Sequence, residues 1–132
     1  MNPAPVEVGQ SIGSRVIGPI TVTDIVRYAG ASGDFAPMHH DESAARAFGF
    51  SSTFSMGMFP AGLLATFATD RFGPSALRRY AIRFREKTWV GDVLTMTGTV
   101  VRVSPSDLAV ELSATRNDGT VVVTAIAEFA FD

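Results

Sequence analysis

Asp34 and His39 are the two side chains in this sequence whose types and spacing could move a proton. They belong to the run Gly-Asp-Phe-Ala-Pro-Met-His at residues 33–39. Gly33 permits a tight backbone turn, and Pro37 restricts its own φ and keeps the preceding residue extended, so both groups can converge from a rigid loop. A carboxylate and an imidazole in one small site suit proton transfer to and from a water molecule.

Two short helices are expected on either side of this loop. Thr23 is a plausible N-cap for a helix that runs towards Gly30, and Asp41 can cap a second helix over residues 42–48. Asp34 and His39 then lie on a loop and not in the core. We therefore expect Asp34→Asn and His39→Gln to remove activity without unfolding the protein.

Residues 57–72 are apolar nearly all round until the last turn. A helix without a polar face is a buried one. Pro60 is tolerated only in a first turn, where its missing N–H needs no partner, so the helix should begin near residue 58 and end at Gly73-Pro74.

The second half of the chain has the period of β-strands. Tyr80, Ile82 and Phe84 alternate with arginines, which predicts a strand that buries these three side chains. Further strands are expected over residues 93–103, 108–116 and 120–131, with an Asn-Asp-Gly hairpin turn before the last, and a short broken strand over 11–22. The fold class is therefore α+β, with a curled antiparallel sheet wrapped around one central apolar helix.

Length and composition exclude several classes of function. The 132 residues suit a single domain over 1–132, and a net charge of −2 offers no excess positive field for nucleic acid. The absence of cysteine excludes a thiol nucleophile, and His40 beside His39 lacks a third metal ligand. The N-terminal residues have neither a basic start nor an apolar run, so we expect a cytoplasmic protein with no membrane partner.

The same residues carry a family resemblance that extends over nearly the whole chain. Tyr28, the run at 33–39 and Ala45 resemble the first signature of the MaoC-like dehydratases and (R)-specific enoyl-CoA hydratases, which have the hot-dog fold. Gly57-Met58 resembles the second signature, and Gly91-Asp92 followed by a Gly-Thr-Val strand resembles the third. In length and layout the chain is similar to the short single-domain dehydratase subunits of this family.

This resemblance implies a reaction and a role for each residue. Asp34 and His39, on a helical overhang, would hold the catalytic water as general base and general acid, and the Gly57 amide would donate to the thioester carbonyl. A helix N-terminus presents unpaired N–H groups that stabilise an enolate-like oxygen. The implied reaction is reversible hydration of a trans-2-enoyl thioester of CoA or acyl carrier protein, or dehydration of the (3R)-hydroxyacyl thioester, without a cofactor or metal.

Two positions depart from the family pattern. The family usually has Asn where this chain has Ala36, and often His where it has Met56. Other groups must therefore hold Asp34 and His39, and the space beside them would admit a bulkier acyl group. Seven of the ten Phe residues lie between positions 35 and 72, which predicts an aromatic wall and an apolar acyl group.

Two other functions remain open at this point. One is a non-catalytic acyl-binding subunit of a hetero-oligomeric dehydratase, and the other is a hot-dog thioesterase, which the Asp-His loop disfavours. Exposed sheet edges predict a dimer with an identical or a different hot-dog chain. The basic side chains between positions 78 and 87 either meet the phosphates of coenzyme A or form a solvated face: Arg78, Arg79, Arg83, Arg85 and Lys87.

Overall fold

The computed structural model describes residues 5–132, so the first four residues of the expected domain lie outside the described residues. Its strands and helices are, in chain order, β1 (Ser11–Ile17), α1 (Val22–Ser32), a 3-10 turn (Pro37–His39), α2 (Glu42–Ala47), α3 (Met58–Phe72), a second 3-10 turn (Pro74–Ala76), β2 (Leu77–Phe84), β3 (Leu94–Val103), β4 (Asp107–Arg116) and β5 (Val121–Ala130).

The five strands form one antiparallel sheet in the order β1-β3-β4-β5-β2. β1 and β2 are therefore its two edges. The curled sheet with its helices confirms the predicted α+β architecture.

The hydrophobic core lies between α3 and the inner face of the sheet. Leu64 and Phe67 of α3 are buried, and the ring of Phe72 packs against that of Phe129 on β5 at 5.0 Å between centroids. Tyr80 on β2 donates its hydroxyl hydrogen to the Ala61 carbonyl of α3 at 2.7 Å. Burial raises the pKa of this phenol above its usual value. The helix begins at Met58 and ends before Gly73, as its proline and glycine predict.

The first helix begins earlier than the predicted Thr23. Thr21 is the N-cap, because its hydroxyl accepts from the Asp24 N–H at 3.0 Å while the Asp24 carboxylate accepts from the Thr21 N–H at 2.8 Å. The helix continues past Gly30 and ends at Gly33, which adopts the left-handed conformation at φ +76°. The second helix follows its predicted Asp41 cap.

Phe84 differs from the prediction that β2 buries it with Tyr80 and Ile82. Its side chain is 56% exposed, although Ile82 packs against the core. Phe84 is the last residue of the strand. The ring lies instead beside Gly57, the N-cap residue of α3.

Candidate active site

The structure brings Asp34 and His39 together in the loop between α1 and α2. Asp34 Oδ2 lies 3.8 Å from His39 Nε2, too far for a direct hydrogen bond. The Asp34 side chain is 45% exposed, whereas His39 is buried. The site therefore combines an accessible carboxylate, which solvent and ligand can reach, with an imidazole that is packed inside the protein.

His39 is held by the main chain of Phe54. Its Nδ1 lies 2.7 Å from the Phe54 carbonyl oxygen, and its ring meets the Phe54 ring edge-on at 5.1 Å. A carbonyl oxygen only accepts hydrogen bonds, so Nδ1 carries the hydrogen and Nε2 of the neutral ring is an acceptor facing Asp34. The expectation that His39 lies outside the core is wrong, because this contact packs it inside.

Asp34 is oriented by main-chain groups of its own loop. Its Oδ1 accepts from the Ala36 N–H at 3.3 Å, and its own N–H donates to Ser32 Oγ at 3.3 Å. These contacts leave Oδ2 directed to His39. Ala36 thus contributes through its backbone. The Ala36 N–H holds Asp34 and the Phe54 carbonyl holds His39, without the side-chain amide that an Asn at position 36 would supply.

Glu42 ties α2 to the segment that supports His39. Its Oε2 accepts from Ser52 Oγ at 3.1 Å and from the Thr53 N–H at 3.2 Å, one residue before Phe54. The Thr53 N–H is the largest cause that lowers the pKa of Glu42 below its ordinary value. Glu42 is separated from Ser52 and Thr53 along the chain by the rest of α2 and by an irregular segment. No local sequence pattern therefore predicts this contact.

Replacing Glu42 by Gln is expected to lower the melting temperature at neutral pH and to have no effect in acid. A carboxylate whose folded pKa is lowered contributes stability that is complete above its unfolded value of 4.5 and is lost as pH falls through the folded value. The difference in melting temperature between wild type and variant should therefore vanish well below pH 4.5. Thermal denaturation across a pH series measures it.

Glu111→Gln is the matched control, since the Glu111 side chain is exposed and forms no hydrogen bond or ion pair with another residue in the described range. A difference between wild type and Glu42→Gln that persists unchanged at low pH would contradict the carboxylate contacts as its source.

Gly57 lies at the N-terminus of α3 and is exposed. Within residues 5–132 neither its N–H nor that of Met58 donates to another residue. Both Gly57 and Asp34 line a cavity of about 350 Å³, which we call the reaction cavity; Tyr28, Met56 and Phe84 also line it, and His39 does not. The structure thus places an acidic side chain and free helix N–H groups against one space of ligand size.

The wall around the site is aromatic in part. Tyr28 packs on Phe59 at 5.4 Å, and Phe54 meets Phe50 at 4.7 Å and Trp89 at 5.7 Å between ring centroids. Other aromatic residues of the same stretch face solvent, with Phe35 and Phe48 more than 60% exposed. Met56 is buried.

The basic side chains of β2 make scattered contacts. Arg78 donates to the Ser75 carbonyl at 2.6 Å, and Arg79 lies 3.7 Å from Glu128. No group of three His, Asp or Glu side chains between residues 5 and 132 could hold a metal ion. None of the helices in that range has the length and apolar character needed to cross a membrane.

Residues 4–123 match the family model described as the MaoC like domain. Over 109 residues the chain is 33% identical to the 3-oxo-4,17-pregnadiene-20-carboxyl-CoA hydratase beta subunit of Mycobacterium tuberculosis, covering 82% of this chain and 84% of that protein. It is 32% identical to the (R)-specific enoyl-CoA hydratase of Rhodospirillum rubrum over 65% of this chain. It is 42% identical to the 3-hydroxyacyl-thioester dehydratase X of M. tuberculosis over 49% of this chain. These last two matches span 61% and 22% of the respective relatives.

Two solved structures have closely similar backbones. A chain of the ChsH1-ChsH2 complex from M. tuberculosis has a TM-score of 0.87 and 27% identity, with 97% of this chain and all of that chain covered. The unliganded R-hydratase PhaJ1 from Pseudomonas aeruginosa has the same TM-score and identity, with 99% of this chain and 86% of that chain covered. The hot-dog fold is thereby established.

Proposed function

Because the chain belongs to the MaoC-like dehydratase family, we propose that it catalyses the reversible hydration of trans-2-enoyl thioesters to (3R)-hydroxyacyl thioesters. The observation that carries this proposal is the placement of the Asp34 carboxylate, 3.8 Å from His39 Nε2, in the same cavity as the free N–H of Gly57. We assign the catalytic roles to these three residues. The proposed domain is the whole chain, 1–132, and it acts without a cofactor or metal.

In the hydration direction, Asp34 and His39 hold one water molecule. His39 Nε2 takes a proton from the water as its oxygen bonds to C3 of the enoyl group. The electron pair of the C2–C3 double bond moves towards the thioester oxygen, where the Gly57 N–H and the positive end of α3 stabilise it. C2 then takes a proton from the Asp34–His39 pair, so the pair ends the cycle in its starting protonation state. Dehydration is the reverse.

The tautomer of His39 supports its part in this scheme. The Phe54 carbonyl holds the hydrogen of the ring on Nδ1 and so keeps Nε2 ready to accept a proton. The same carbonyl stabilises the imidazolium that forms when Nε2 becomes protonated, because both ring nitrogens are then donors. A general base of this kind contributes about 10²- to 10⁴-fold to a rate.

We further propose that the protein is a cytoplasmic dimer of hot-dog chains that binds an acyl-CoA or acyl-carrier thioester. β1 and β2 each leave one side without a strand partner in the described chain, and such edges are commonly covered by a second subunit. The partner is either an identical chain or a different one.

The experiment is to purify the chain alone and to follow loss of the enoyl absorbance of crotonyl-CoA and of a longer trans-2-enoyl-CoA. The configuration of the product is then determined. Hydration to the (3R)-alcohol is the expected result. Formation of the (3S)-alcohol, or release of free coenzyme A as in thioester hydrolysis, would contradict the proposal.

A non-catalytic acyl-binding subunit is the second candidate function. Its support is the similarity to a protein named as a beta subunit and to a chain of a complex of two differently named proteins. In that case the folded chain alone would bind an acyl-CoA without hydrating it, and Asp34→Asn would leave the activity of the assembled complex unchanged.

A further inference from the structure

The start of α3 lacks the side-chain cap that usually fixes the first turn of a helix. Its N-cap, Gly57, has no side chain that could accept from the N–H groups of that turn. The Phe59 N–H donates to the Met56 carbonyl at 3.1 Å, whereas the N–H groups of Gly57 and Met58 have no acceptor within residues 5–132. Glycine has the greatest backbone freedom of any residue, and helix ends fray. The direction of the two N–H groups therefore depends on contacts from elsewhere in the fold.

The ring of Phe84 supplies such a contact. The backbone of Gly57 has φ −61° and ψ −30°, a helical conformation that any residue can adopt. A Cβ atom at this position would lie 3.0 Å from Cδ1 and Cε1 of Phe84. The ring therefore packs against the Cα of Gly57, which lies between the two N–H groups. The ring, and not the backbone conformation, opposes a side chain at position 57.

Phe84 contributes little to the core. Its side chain is 56% exposed and lies outside the cluster of core residues. None of the aromatic ring pairs in the described part of the chain includes it. A ring that remains largely exposed gains little free energy from burial. Its contact with Gly57 therefore points to a role at the start of α3.

We infer that Phe84 is a positioning residue, whose ring holds the first turn of α3 so that the N–H groups of Gly57 and Met58 keep one direction. The inference rests on the proposed function, in which the Gly57 N–H stabilises the thioester oxygen. Donors that are already oriented stabilise developing charge without reorganising during the reaction, so donors that fluctuate stabilise it less. Phe84, Gly57 and Asp34 line the same reaction cavity.

The first test measures NMR relaxation of the Gly57 and Met58 amides in wild type, Phe84→Ala and Phe84→Tyr. A rigid backbone amide has an order parameter of about 0.85, and a flexible one has a value below about 0.6. We expect both amides to move towards the flexible value in Phe84→Ala and to keep the wild-type value in Phe84→Tyr, which retains the ring. Unchanged order parameters in Phe84→Ala overturn the inference.

Phe48→Ala is the matched control for this measurement. Phe48 is 62% exposed, similar to Phe84, and does not line the reaction cavity. Its replacement removes an aromatic ring from the surface without touching the start of α3. The order parameters of the Gly57 and Met58 amides should therefore stay at their wild-type values.

The second test measures kcat and KM for hydration of crotonyl-CoA. We expect Phe84→Ala to lower kcat about tenfold, which is less than the 10²- to 10³-fold loss that typically follows removal of a donor. KM should change little, because the oriented donors act chiefly in the transition state. Phe84→Tyr should restore kcat. An unchanged kcat in Phe84→Ala would overturn the inference and leave the proposed function intact.

Gly57→Ala tests the contact itself, because its effect should change sign with the residue at position 84. In the wild-type background the new Cβ displaces the ring and lowers kcat. In the Phe84→Ala background it meets no ring and restricts the backbone, so it raises kcat. Loss of kcat by the same factor in both backgrounds would contradict the inference.

The relaxation measurement separates this inference from the proposed function, because it does not depend on activity. If wild type hydrates no enoyl-CoA, the proposed function fails. A fall in the order parameters of Phe84→Ala then still supports the role of the ring in holding the N–H groups, and unchanged values overturn that role as well.

Discussion

Asp34→Asn is expected to lower kcat for enoyl-CoA hydration by about 10²- to 10⁴-fold, the usual contribution of a positioned acid or base. Asn retains an oxygen that can accept from the Ala36 N–H, so the loop keeps its hydrogen bond. It cannot take or give a proton. The side chain is 45% exposed, and its replacement should leave the melting temperature close to that of wild type.

Steady-state kinetics with crotonyl-CoA, together with thermal denaturation, measure both parts of this prediction. Asp70→Asn is the control: this exposed aspartate near the other end of α3 pairs with Arg15 at 2.8 Å and lies far along the helix from Gly57. It should retain full activity. More than a tenth of wild-type activity in Asp34→Asn would remove Asp34 from the proton-transfer scheme.

His39→Asn and His39→Gln are expected to lower activity by the same factor, but His39→Gln is expected to lower the free energy of unfolding more. His39→Asn places an amide near the position of Nδ1 and can still donate to the Phe54 carbonyl, whereas His39→Gln extends towards the position of Nε2. Neither can act as a base, so both should lose about 10²- to 10⁴-fold in kcat. His39→Gln leaves the Phe54 carbonyl without its 2.7 Å donor in a buried place, which costs about 1–3 kcal/mol.

Urea denaturation of the two variants checks the stability difference, and the hydration assay checks the common loss of activity. Equal unfolding free energies for the Asn and Gln variants would contradict the assigned tautomer, in which Nδ1 carries the hydrogen. An active His39→Asn variant would show that Nε2 is not the base.

Local signals in the sequence were strong enough to predict the central helix and the three-stranded meander. Pro60 can stand only in a first turn and Gly73 ends the helix, so α3 has the predicted bounds. The Asn-Asp-Gly turn joins β4 to β5, and the pairing of Arg116 with Thr120 across it follows from the glycine at φ +87°. The local roles of Asp34 and Asp41 could also be predicted without tertiary information. Each carboxylate accepts from main-chain N–H groups that lie within three residues of it.

Errors arose where two local signals competed or where tertiary packing decided the outcome. Thr21 and Thr23 are both suitable N-caps, and the reciprocal bonds to Asp24 select Thr21. Alternation along β2 places Phe84 on the inner face, but at that position the inner face meets the start of α3 and leaves the ring uncovered. His39 was expected to lie on a loop outside the core, and the Phe54 contact buries it.

A cavity of about 390 Å³ lined by Gly57 and Thr88, and the Glu42 contacts, could not be predicted from the sequence at all. Both depend on how segments distant along the chain meet. Thr88 and Lys87 follow β2, Gly57 immediately precedes α3, and Val122 belongs to β5, yet all four line one space. No local pattern of residue types encodes such a meeting, whereas a motif such as residues 33–39 is local and can be recognised.

The strand order has a consequence for synthesis of the chain on the ribosome. The apolar helix α3 ends at Phe72, before any of the strands β3, β4 and β5 exists to cover it. β2 emerges next, but its sheet neighbour is β5, the last strand made. Until β5 has been synthesised, α3 therefore exposes apolar surface and β2 exposes an unpaired strand edge. Such surfaces favour aggregation. A nascent chain stalled within β5 would lack the partner of β2 and the part of the cover of α3 that β5 supplies, so completion of this strand is the step that closes the sheet over the helix.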